Sequence, residues 1–494
     1  MKRTYLLFIL TCSLSSFFIH SQNIFLQRKY WKENPPIDKI ESDIKKGNDP
    51  TELNKYAFDP ICYALLEKSD NKSIIHLLNK KGNDVNKKTH DSRTYLFWAA
   101  YKNNLEIMKY LVSRGAKTDL VDSHGNTVIN FAAANGQLNK EIYEFCISKG
   151  ADPSTELNKN GANTLLIISS SLKGDEMIDY FIAKGVDINS IDDNGNGIFN
   201  YTAKGGNINQ LDLLIRRGVE YKKPNKKNSN AFIFASQGKN SSLKTFKYLE
   251  SVEINPNITS IEGFTPMHFL PRNYKDPKIY EYFISKGVNV NQVNKNGNTV
   301  FNNASIYGNK KLLSFLIDKG AEINISNKKG QNSLMLATKN NTVDVVNFII
   351  NNGGNILHED KEKNSLAHYI IDSYSKENII SFDKKLELFI ENKLDLSSRQ
   401  SNGNSILHEA VNKNNLKLIK KLMLFNIPIN IKNNDGYTAL HMAAMKAKDL
   451  EIISFLLKNG ANKIIKTDFD ESAYDLASEN ELLNKNNIDL KILR

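Results

Sequence analysis

Four histidines, His268, His368, His408 and His441, recur at or near one position of a repeated phrase. Imidazole is the side chain best suited to proton transfer and metal binding near neutral pH. Such chemistry requires partners in frame. No histidine pair has the i, i+4 spacing that sets two ring nitrogens on one helix face, and no acid stands in a matching frame. His76, His90, His124 and His358 are scattered; only His90 and His124, near adjacent turn tips, come close to a surface metal pair. Gly205-Gly206 and Gly353-Gly354 are too poor to cradle a phosphate, and Ser169-Ser170-Ser171 has no glycine elbow around it. Asp192-Asp193 falls in a turn, where acids act as caps and turn formers. These groups do not converge. No catalytic, cofactor or metal site is expected, and the protein is read as a non-enzyme.

The elements around these residues repeat. An Asp/Asn-Gly phrase, cleanest at Asp435-Gly436-Tyr437-Thr438-Ala439-Leu440-His441, returns every 33 to 36 residues. Its glycine falls at Gly125, Gly161, Gly195, Gly263, Gly297, Gly330, Gly403 and Gly436; Tyr56/Ala57, Ser92, Asn228, Lys363 and Asp470 fill the same slot. That gives thirteen registers, with one longer step of 40 residues from Lys363 to Gly403. The glycine supplies the positive φ of a tight turn. Thr438 is placed to cap a helix, Pro266 to open one, and Ala443-Ala444 to keep one face thin. Ile452, Ile453, Phe455, Leu456 and Leu457 form the apolar stripe of a second helix that Gly460 ends. One such pair cannot bury its apolar face alone, so the units must stack.

Thr265-Pro266-Met267-His268, Ser405-Ile406-Leu407-His408 and Thr438-Ala439-Leu440-His441, with exits such as Lys149-Gly150-Ala151-Asp152 and Lys319-Gly320-Ala321-Glu322, resemble the ankyrin-repeat family. The resemblance runs over roughly residues 55 to 485 and implies an α-solenoid of helix-turn-helix units with short β-hairpin loops: about thirteen repeats plus an N-terminal cap. Expected segments are a signal peptide at 1–21, a capping unit at 22–54, nine registers at 55–362, a repeat with an insertion near 372–382 at 363–402, and the last repeats with a C-terminal cap at 403–494. The insertion is expected as a longer loop and a hinge. The resemblance also implies that the repeated histidine bonds to neighbouring loops, and that loops and first helices line a concave face that binds proteins. The contact residues it implies are Arg93, Trp98, Tyr101 and Lys102 in one register and His124 in the next. Further along they are Phe264, Arg272, Tyr307, Lys339, Tyr437 and Lys446. Trp98 packed beneath the neighbouring repeat is the alternative for that residue.

Met1-Lys2-Arg3 followed by the mostly apolar Tyr5 to Ile19 reads as a secretory leader cleaved before Gln22; an uncleaved anchor is the alternative. The formal charge of +12 favours partners with acidic surface, although the lysines are dispersed and no nucleic-acid motif accompanies them. Cys62 and Cys146 fall two registers apart, too far for a disulfide, and are expected as buried thiols. Resemblance to exported bacterial ankyrin proteins implies a periplasmic, monomeric scaffold for protein partners. The alternatives are an envelope-surface structural protein held by charge, or a stress-related helper of a periplasmic enzyme such as a catalase. A secreted effector is a further class, without a toxin domain to support it.

Overall fold

Each unit begins with a turn whose side chains hold their own backbone. In the turn at Asp122, the Asp122 carboxylate accepts from the backbone N–H groups of His124 and Asn126, and the Asp122 N–H donates to the Asn126 carbonyl. Asn294 and Asn327 repeat the same geometry. A capped first helix follows. Thr127 and Thr299 each accept from the backbone N–H three residues on, as the expected N-cap at Thr438 also does. The second helix ends on a left-handed glycine: at Gly460 (φ +94°) the Ala461 N–H reaches back to the Leu456 carbonyl.

The structure, a computed structural model, describes residues 23–494 apart from 241, 376–377 and 426; the expected leader lies outside these residues. Contacts divide the described residues into two compact units, those up to 198 and those from 199 to 494. In the first, the helices Pro60–Glu67, Tyr95–Tyr101, Val128–Ala134 and Thr164–Ile168 stack in order, and Asn71–Leu78, Leu105–Ser113 and Lys140–Ile147 stack behind them. A short unit precedes them. Within it Phe25 and Trp31 are fully buried, and the Trp31 indole donates to the Phe25 carbonyl at 2.8 Å.

In the second unit the first helices Val300–Tyr307, Ser333–Asn340, Leu366–Ser373, Ile406–Asn412, Ala439–Lys446 and Ala473–Glu479 stack in the same way. The second helices Leu243–Ser251, Pro277–Ser285, Lys310–Asp318, Val343–Asn351 and Ile379–Glu391 lie behind. First helices are buried almost all round: Tyr95 to Ala100 and Ala439 to Ala444 are both core runs.

Two expectations change. The turns form no β-ladder among the described residues: a single bridge, Lys466 to Ser472, is present. The turn backbone closes on itself instead, as where the Asp122 N–H donates to the Asn126 carbonyl and the Gly125 N–H to the Asp122 carbonyl, and several turns bond the next one, as Ser123 N–H does the Asp91 carbonyl. The extra residues of the 40-residue step also form no long loop. They lengthen a second helix to 13 residues, Ile379–Glu391, and the first helices Ser333–Asn340, Leu366–Ser373 and Ile406–Asn412 stack in succession across it. The buried Lys385 of that helix donates to the Thr338 carbonyl at 2.7 Å, near the end of Ser333–Asn340, the first helix of the unit before.

Candidate partner-binding face

The repeated histidine is a clamp between units. In His408 and His441, Nδ1 accepts from the N-cap backbone N–H at 3.1 Å, and Nε2 meets a carbonyl of the next unit at 3.0 Å, Tyr437 for His408 and Ile465 for His441. His268 does the same with Thr265 and with the carbonyls of Gln292 and Asn298. This pattern needs Nδ1 as acceptor and Nε2 as donor, which fixes the neutral ring. Burial lowers all three pKa values accordingly.

The expected contact residues separate by burial. Trp98 is buried between Phe58 and Phe131, and its indole donates to Thr89 Oγ1 at 2.9 Å. Arg93 is buried too: it bonds Asp122 at 2.9 Å and lies over the Phe131 ring at 4.3 Å. Both are therefore structural and unavailable to a partner, because their polar groups are already satisfied inside the stack. Tyr101 and Lys102 are half-buried, with the ammonium over the ring at 5.0 Å. His124 is exposed and meets Asp91 at 3.2 Å. The Asp91 carboxylate also takes His90 and Arg93, so an arginine shares the spot where a metal would sit. Among the described residues, no group of three or more His, Cys, Asp or Glu is placed to hold a metal ion.

In the second unit Phe264 stacks on Phe269 at 5.2 Å and is half-buried, as is Tyr437. Arg272, Tyr307 and Lys446 are exposed, and Lys446 bonds Asn412. Lys339 pairs with Asp372 at 2.8 Å, and Lys413 pairs with the same carboxylate at 3.2 Å. Lys339 and Asp372 border a cavity of about 530 Å³ on the turn-and-first-helix face. Its wall includes Tyr369, which donates to Asp360 at 2.7 Å and accepts from Gln331 at 2.9 Å. Glu409 lines it as well, its carboxyl pKa raised by burial. Sequence reasoning reached Lys339 and missed Tyr369 and Glu409. Both directly follow a repeated histidine, which is the signal that would have found them.

The ankyrin-repeat family profile ("Ankyrin repeats") matches three segments, residues 61–157, 267–360 and 378–467, more than half of the chain. The chain belongs to the ankyrin-repeat family. It is similar to a putative ankyrin repeat protein of Borreliella burgdorferi, 33% identical over 22% of this chain and 27% of that one. A putative ankyrin repeat protein of Acanthamoeba polyphaga mimivirus is 23% identical over 49% of this chain and 30% of its own length. The putative palmitoyltransferase ZDHHC13 of Danio rerio is 24% identical over 32% of this chain and 30% of its own. The matches span less than a third of each relative. Ankyrin repeats generally mediate protein–protein interaction and are typically non-enzymatic modules. No helix among the described residues is long and apolar enough to cross a membrane.

Proposed function

We propose that this ankyrin-repeat protein is a non-enzymatic scaffold that holds partner proteins through its turn-and-first-helix face, after export to a bacterial periplasm. The observation that carries the reading is the division of labour on that face. His268, His408, His441, Trp98 and Arg93 are consumed in holding the stack, while Arg272, Tyr307 and the Lys339 cavity remain open to a partner. Tyrosine and arginine are the residue types that dominate protein interfaces. Export rests on the basic start and apolar run of residues 1–21.

In-cell crosslinking of the full-length protein in its native host, followed by mass spectrometry of the periplasmic fraction, tests both parts. One dominant protein, crosslinked through residues of this face and lost when Arg272 and Tyr307 become alanine, is the expected result. Recovery in the cytosolic fraction with residues 1–21 intact overturns the location. Recovery only with membranes, released by salt, would replace the scaffold with a charge-held surface role.

A further inference from the structure

One place in the turns differs in chemistry between the two compact units. It lies four residues before the glycine slot. In the first unit it holds Leu53, Lys88, Val121, Leu157 and Ile191. Across the eight turns of the second unit only Val293 is a large aliphatic residue there, and the last five hold Ser326, Glu359, Arg399, Lys432 and Lys466. Val121, Leu157 and Ile191 stand on three successive turns and are 54%, 50% and 58% exposed. A lone exposed aliphatic side chain is ordinary on a protein surface. The same place filled this way in three units running makes a stripe, and covering a stripe of apolar surface is favourable.

The spacing indicates what covers it. Helices packed in a stack stand about 8–10 Å apart, so equivalent side chains recur at about that interval. Along an α-helix every seventh residue returns to nearly the same face after about 10.5 Å. Along a β-strand, residues of one face recur at about 7 Å and miss the interval.

The surroundings give the sign of the partner. From Gly115 to Gly195 the chain holds six Lys, no Arg and twelve Asp or Glu, a net charge of −6 in a protein of formal charge +12. Asp119, Asp187 and Asp193 stand exposed within four residues of the stripe, and Lys117 and Lys159 oppose them. The overall charge favours acidic partners, whereas this stretch has the opposite sign and favours a basic one.

We propose that Val121, Leu157 and Ile191 form a docking stripe for an amphipathic helix of a partner protein, with an apolar residue at every seventh position and lysine or arginine beside it. This rests on the scaffold reading above and adds to it a surface within the first unit.

The test is fluorescence anisotropy with the full-length protein and labelled peptides of about four heptads. The probe is an Ala- and Lys-rich helix with Leu at every seventh position. The comparisons carry Ala for each Leu, or Glu for each Lys, and a proline-rich Lys peptide has Leu at every third position. The probe should bind at least about tenfold tighter than each of the three. Val121→Ser with Leu157→Ser and Ile191→Ser should abolish that margin, and Asp119→Asn with Asp187→Asn should weaken binding and flatten its salt dependence. The wild-type protein supplies a second readout: a photoreactive leucine in the probe should crosslink within residues 115–195.

Equal affinity for the Ala or Glu peptide, tighter binding of the proline-rich one, or crosslinks outside residues 115–195 overturns the proposal. A cellular partner held only through Arg272 and Tyr307 also overturns it and leaves the scaffold intact. Probe binding at the stripe with no cellular partner keeps the stripe and removes the scaffold.

Discussion

The histidine clamps make stability depend on pH with a defined sign. His268, His408 and His441 have pKa values lowered by burial, and His368 is lowered to about 4 for the same reason. The unfolded polypeptide, with ordinary histidines near ~6.5, binds protons first. The stability is therefore fully present above that value and is lost as pH falls toward the folded values. Urea unfolding at two pH values on either side of ~6 should show a loss on the order of 1 kcal/mol per clamp, before carboxylates titrate. His408→Gln with His441→Gln should flatten that slope; an unchanged slope would refute the assignment. The turn slot gives a second prediction. Lys363 holds φ +56° where other units have glycine. Lys363→Gly should stabilise by roughly 0.5–1 kcal/mol in the same assay, because a side chain is strained in that region. Gly330→Ala should destabilise by more than that, since a Cβ there would meet the Lys361 backbone nitrogen at 2.7 Å. A third prediction concerns the thiols. Cys62 and Cys146 are free and buried, and burial pushes the Cys146 thiol up to about 12. A thiol reagent should label neither until urea unfolds the protein.

Between elements, an asparagine in four of the units ties a second-helix exit to the next. The Asn324 amide donates to the Gly353 carbonyl at 2.9 Å while its oxygen accepts from the Asn355 N–H at 2.9 Å. Asn86, Asn291 and Asn430 make the same pair of bonds to the following unit. Asn324→Ala should cost about 1–2 kcal/mol, measured by thermal or urea melting, because it removes two bonds and leaves both backbone partners open. Asn324→Asp, which keeps the acceptor and loses the donor, should fall between. Lysine–acid pairs also cross between units, as in Lys286 with Glu250 and Lys421 with Asp383. These are solvent-facing and each contributes little.

For the whole molecule, the weight of stability therefore lies in buried helix stacks rather than in surface charge. Raising NaCl to about 0.5 M should shift the melting temperature only slightly, even with a formal charge of +12. A large downward shift would mean that the inter-unit ion pairs carry the stack. Partner binding should behave oppositely, weakening with salt, because charged side chains flank the surfaces left open to a partner.

The sequence by itself determined the repeat, its turn slot, the caps and the apolar stripes. These are local: a residue that needs positive φ or caps a helix announces itself by type and position. Thus Ser92, Asn228, Lys363 and Asp470, placed in the glycine slot by register alone, all hold positive φ, and of the pair Tyr56/Ala57 it is Ala57 that does. What faces a partner was not legible in this way. Trp98 and Arg93 have the residue types of an interface, yet neighbouring units bury them, and burial is a property of the stacked neighbours. The 40-residue step looked like a loop by length, but packing against adjacent second helices made the surplus helical. His368 reads like its three counterparts in sequence. Only the tertiary placement of the next turn decides that its Nε2 does not reach the close carbonyl contact its counterparts make.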